Sequence, residues 1–151
     1  MELLKNSVWE FKGSDLTEDG LYRVLDVMHD IETVVLFPLH KSSVTVRPIA
    51  LFLQEFIEHV KNKIAIKSEY VLPDFILVNE EKIPKSHIVR RDRNYNLVKN
   101  IVEDQVFLFD YATKKRAPQL AEYAKIAELD RKFLARLLTQ YWRYGQDIMS
   151  L

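Results

Sequence analysis

The stretch RKFLARLLTQYWRYGQ, residues 131–146, puts two kinds of side chain on one period, and its reading decides the architecture of the second half of the chain. At 100° per residue, Phe133, Leu134, Leu137, Leu138, Tyr141 and Trp142 gather on one broad side, while Lys132, Arg136, Thr139, Gln140 and Arg143 gather opposite. Asp130 is a good N-cap, and Gly145 stands where helices commonly end in a left-handed cap. The spacing predicts an amphipathic helix with its apolar side, Tyr141 and Trp142 included, in a core and its polar side outward.

Working back from it, APQLAEYAKIA (117–127) reads as a second helix, compact at Ala121 and Ala124. VFLFDYATKKR (106–116) reads as an extension of the preceding helix or a short one of its own. Ser86 is placed to cap HIVRRDRNYNLVKNIVE (87–103), in which Ile88, Val89, Tyr95, Leu97, Val98, Ile101 and Val102 are available for burial. The polar segment NEEKIPKS (79–86), with Pro84, marks a boundary.

Ahead of it, VWEF (8–11), LYRVLDVM (21–28) and ETVVLFPL (32–39) are rich in β-branched and aromatic residues and are separated by turn chemistry, a β-meander. IALFLQEFIEHVKNK (49–63) has mostly helical spacing, with Pro48 suited to its first turn. IAIKS (64–68) reads as a strand, and YVLPDFILVN (70–79) closes the module irregularly because of Pro73. The expected fold class is α+β: a small β-meander module with one helix over 1–80, then an all-α helix-turn-helix domain over 85–146.

With 151 residues, 48% hydrophobic and 29% charged, the composition is that of an ordinary globular chain. There is no cysteine, which excludes disulfides, thiolate metal sites and a cysteine nucleophile, and suits a reducing, cytoplasmic setting. The N-terminus has no basic segment followed by an apolar run, and no apolar run approaches a membrane span, so a membrane is not expected among the partners. The four histidines, at 29, 40, 59 and 87, lack metal-ligand spacing, and His59 reads as a surface or dipole-facing residue near a helix end. Asp26, Glu55 and Glu58 are not paired by any pattern into an acid and a base. No catalytic residue, metal or cofactor is expected.

The formal net charge of zero conceals two unlike halves. Residues 1–81 hold 8 Lys and Arg against 14 Asp and Glu, and residues 82–151 hold 14 against 8. A basic helical half points to a polyanion, and two short helices with a basic outer face on the second make the arrangement that enters the DNA major groove. Long donors suit that reading, since Arg or Lys pairs with guanine and Gln with adenine. Lys132, Arg136 and Gln140 follow one another at i, i+4, and Thr139 adds a hydroxyl; these four are the base-reading candidates. Arg90, Arg91, Arg93, Lys114, Lys115, Arg116, Arg131 and Arg143 are the candidates for phosphate contact. The competing reading is a protein-interaction module in which the acidic, β-rich front binds a partner and the helices form an ordinary bundle.

LLTQYWRYGQ (137–146) resembles the N-terminal region of TnsB-type, TniA-like transposases of the DDE transposase and retroviral-integrase superfamily. There a helix-turn-helix ends in a comparable Leu-Leu-x-x-Tyr-Trp-x-x-Gly-Gln run ahead of the catalytic domain. The resemblance is clearest over Phe109 to Gln146, and RDRNY (91–95) is compatible with it. It implies recognition of double-stranded DNA at transposon ends, partner transposition proteins, and a chain holding the DNA-binding region without the metal-binding carboxylates of the catalytic part. Only the helix-turn-helix role carries over, to Lys132, Arg136, Thr139, Gln140 and their neighbours.

Overall fold

The computed structural model describes residues 3–69, 85–114 and 117–146. Its first part is a five-stranded antiparallel sheet of β1 (Val8–Phe11), β2 (Gly20–Met28), β3 (Thr33–Pro38), β4 (Ile49–Phe52) and β5 (Ala65–Ser68), in the order β4-β3-β2-β1-β5. A helix, α1 (Leu53–Lys61), joins β4 to β5 and packs against both of these edge strands. Its second part comprises α2 (Lys85–Val102), α3 (Gln105–Thr113), α4 (Pro118–Ile126) and α5 (Arg131–Arg143). The class is α+β, a sheet module followed by a helical region, as the sequence indicates.

The central strand explains how the parts meet. All six residues of β3 are buried, which a half-exposed strand would not show. Alternation sends Val34 and Leu36 to a core under α1 with Trp9, Phe11, Tyr22 and Phe56. It sends Val35 and Phe37 to a second core, shared with Val98, Phe107, Leu134, Leu138 and Trp142 of the helices. In β2 a register shift between Val24 and Asp26 exchanges the two faces, so that Val24 lies in the α1 core while Leu25 and Met28 lie in the helical one. The sheet is thus filled on both sides, and the helices take much of their core from it.

Several expectations change. Ile49–Phe52 is a strand: Leu51 pairs with Val34 and Ile49 with Leu36, so sheet pairing overrides a helical spacing of apolar residues, and the helix begins only at Leu53. Pro48 therefore precedes an edge strand. Ser86 lies inside α2, which already includes Lys85. In that helix Val89 is exposed, and Arg91 and Asn94 join Val98 and Ile101 on the buried stripe. VFLFDYATKKR contains a separate helix, α3, whose N-cap Asp104 accepts from the Phe107 amide at 3.1 Å. The segment 70–79, read as module closure, and residues 79–84 of the boundary segment 79–86 lie outside the described residues, while Lys85 and Ser86 of that segment already belong to α2.

Candidate nucleic-acid interface

Local chemistry fixes the α4–α5 pair. Pro118 opens α4, where its missing N–H costs nothing. The connection of residues 127–130 is held by Leu129 N–H on the Ala124 carbonyl at 2.9 Å and by Glu128 in a left-handed conformation, φ 57°. Asp130 then caps α5, accepting from the Lys132 amide at 2.7 Å. At the far end Gly145, at φ 87°, takes the left-handed cap expected of it.

Behind α5 a set of hydrogen bonds fastens it to the sheet module. Arg23 donates to the Arg143 carbonyl at 3.3 Å and to that of Asn6 at 3.0 Å. Gln146 Nε2 donates to Asn6 Oδ1 at 2.7 Å. Thr139 Oγ1 accepts from the Val46 amide at 2.9 Å and donates toward the carbonyls of Ala135 (2.9 Å) and Val46 (3.2 Å). Thr139 is 1% exposed. It therefore does not share the outer face with Lys132 and Arg136, because the loop before β4 crosses α5 at that point. Thr139→Val is expected to lower stability by about 1–3 kcal/mol, since the buried Val46 amide loses its acceptor. Chemical denaturation measures this; a loss of base preference with unchanged stability would contradict the inward role.

Of the base-reading candidates, Lys132 and Arg136 are exposed one turn apart, and Gln140 is half-buried and has a partner within the chain. Phe133, expected in the core, is 39% exposed beside them, and Ala135 takes a buried place instead. Among the phosphate candidates Arg90, Arg93 and Arg131 are exposed. Lys114 is also exposed, with its Nζ 3.1 Å from the Asp110 carboxylate. Arg91 is 7% exposed and pairs with Asp92 at 3.2 Å, and Arg143 Nη2 donates to the carbonyls of Ser43 (2.6 Å) and Lys41 (3.2 Å). These two act within the chain, Arg91 because it lies on the buried stripe of α2 and Arg143 because the 41–48 loop lies over its end of α5. Lys115 and Arg116 fall outside the described residues.

Arg131 and Lys132 line a cleft between α4 and α5 together with Arg47, a residue the sequence reading missed. Arg47 donates to the Tyr111 carbonyl from Nε (3.0 Å) and Nη2 (2.6 Å), and to the Lys114 carbonyl at 2.6 Å. Its guanidinium sits 4.4 Å from the centre of the Tyr111 ring. It thus caps the C-terminal end of α3 from the sheet module, where a cation is favoured. An arginine before a proline in a loop gives no local sign of this partner. Burial pushes the Tyr111 phenol up, opposed by Arg47.

Two carboxylates brace α3 against α4. Tyr123 Oη donates to Asp104 Oδ2 at 2.5 Å, which pushes the phenol up to about 12. Gln119 Nε2 donates to Asp110 Oδ2 at 2.6 Å, and this bond, with help from Lys114, holds the Asp110 carboxyl below the usual carboxylate range. A lowered folded pKa means stability that is present above the ordinary aspartate pKa and lost as pH falls through the folded one. Asp110→Asn should therefore destabilise the protein more at neutral pH than at an acid pH below the lowered pKa, where the parent's own carboxyl has given up its charge. Equal losses at both pH values in denaturant titrations would contradict this.

His59 is buried, not at the surface as its place near a helix end suggests, and its Nε2 lies 2.7 Å from Ser14 Oγ. That hydroxyl also accepts from the amides of Leu16 and Thr17, so the pair ties a loop to α1. Among the described residues no group of three or more His, Asp or Glu is arranged to hold a metal ion, and no helix is long and apolar enough to cross a membrane.

The α4–α5 pair thus exposes Arg131, Lys132 and Arg136 on one side and is fastened to the sheet on the other. Residues 91–151 match the family model of the TnsB second domain, a segment that takes in α3, α4, α5 and most of α2. Over that segment the chain is similar to the TnsB second domain. The resemblance seen from Phe109 to Gln146 falls inside the matched segment. No curated protein matches the chain.

Proposed function

We propose that the chain binds double-stranded DNA sequence-specifically, recognising transposon end sites during transposition, with α4–α5 as a helix-turn-helix and α5 in the major groove. The observation that carries this reading is the outer face of α5 near its N-terminal end, where Arg131, Lys132 and Arg136 are exposed behind a tight turn. Recognition helices meet base edges with their N-terminal residues. At 1.5 Å per residue, Lys132 to Gln140 spans about 12 Å, the length of about three to four base pairs.

In this reading Lys132 and Arg136 read bases, with Gln140 at the far end of the row. Arg131, Arg90, Arg93 and Lys114 meet phosphates, and Lys114 exchanges its Asp110 partner to do so. Thr139, Arg91 and Arg143 hold the helices in place. The division along the sequence, 1–80 and 85–146, is part of the proposal, with a shared core making the first part a support for the second. The chemistry of DNA cleavage and joining is assigned elsewhere than to these residues, and the setting is the cytoplasm.

The test is a titration of duplex DNA with the whole chain over a range of salt. Each phosphate contact contributes a slope of roughly −0.9 in log affinity against log salt, so affinity should fall steeply. Absence of binding at low salt would remove the proposal.

A further inference from the structure

Two adjoining apolar hollows, one beside β4 and one beside the turn His29–Ile31, lie along α3 and share Ile31 and Phe109, together making a groove. Leu16 and Phe52 stand at one end and Val106 at the other. Ile31 is 48% exposed, Phe52 62% and Val106 67%. Single exposed apolar residues need no explanation, but several around one groove mark a contact surface. The groove uses Val106, Phe109 and Thr113, whereas Tyr111, which meets Arg47, lies nearly opposite on the α3 wheel. It therefore faces away from the basic cleft.

Among the described residues its charged lining is acidic. No described Lys or Arg lines it; Asp30 and Glu55 do, beside His29, and exposed Asp15 and Glu32 flank Leu16 and Ile31 in sequence. We propose that this groove docks an amphipathic segment of a partner protein that presents an apolar face bordered by Lys or Arg. Nucleic acid is repelled by such a rim. A second copy in a two-fold contact would bring acid against acid, because an isologous interface apposes the same patch. The chain's own segment 70–79 carries Asp74 and no basic residue, so its charge does not complement the rim either. A basic amphipathic partner satisfies both the apolar floor and the acidic edge.

The experiment uses the whole chain and two fluorescent helical peptides of equal length, one of Leu and Lys and one of Leu and Glu, with anisotropy as readout. The Leu/Lys peptide should bind, and the Leu/Glu peptide at least roughly tenfold more weakly. Val106→Lys should weaken the Leu/Lys peptide roughly tenfold or more, as truncating an interface anchor does. Asp30→Lys, an exposed reversal that leaves the apolar packing intact, should weaken it as well. Equal binding of the two peptides, or binding indifferent to both substitutions, overturns the proposal. Self-association that Val106→Lys abolishes gives the groove to a second copy and also overturns it. So does peptide binding seen only after residues 70–79 are replaced by a Gly/Ser linker, which gives the groove to the chain's own segment.

Discussion

Replacing Trp142 with Ala is expected to cost about 3–5 kcal/mol and to melt sheet and helices in one transition. Trp142 is the largest of the fully buried side chains, with ring centroids 6.2 Å from Phe37 in β3 and 6.0 Å from Tyr111 in α3. Its removal opens a cavity where both parts of the chain meet, so neither part keeps a complete core without it. The substitution also leaves Trp9, in the core under α1, as the sole tryptophan, a reporter for the sheet alone. Trp9 fluorescence and far-UV circular dichroism should then lose their native signals at the same, lowered denaturant concentration. Helical signal lost while Trp9 fluorescence stays native would show that the sheet stands independently of α2–α5.

The second large effect concerns DNA. Lys132→Ala and Arg136→Ala should each cost about 1–3 kcal/mol of discrimination at the base pair that the side chain reads, relaxing preference there. Arg131→Ala should weaken all sequences alike and reduce the salt slope by about one contact, because a phosphate carries no base identity. The two kinds of variant must therefore separate in a comparison of cognate and scrambled duplexes at several salt concentrations. Identical behaviour would mean that the outer face of α5 meets backbone only, or does not meet DNA. None of the three substitutions disturbs the core, since all three side chains are exposed.

Much of this was legible because it rests on local chemistry. Asp130, Gly145 and the apolar period of 131–146 bound α5 without reference to anything else in the chain. The meander was legible as well, from short apolar runs separated by turns. What escaped was decided by partners distant in sequence. Thr139 sits on the polar side of the helical wheel and is nevertheless buried, because Val46 brings an amide and a carbonyl to its hydroxyl. Arg143 and Arg91 read as basic surface until the carbonyls of Lys41 and Ser43 and the burial of the α2 stripe are seen. Arg47 gave no sign at all, being a loop residue whose role is the end of a helix more than sixty residues later. Ile49–Phe52 misled in the other direction, since apolar spacing in so short a run fits either period and only pairing with β3 decides.

A basic surface is common, whereas a reading helix has to leave a sequence signature. Selection of bound sequences from a random duplex pool by the whole chain tests that difference most directly. The expected result is one enriched motif whose core of about three to four base pairs loses definition at separate positions in Lys132→Ala and Arg136→Ala. A pool that stays random at low salt, or a motif that both variants reproduce unchanged, would contradict sequence reading by α5.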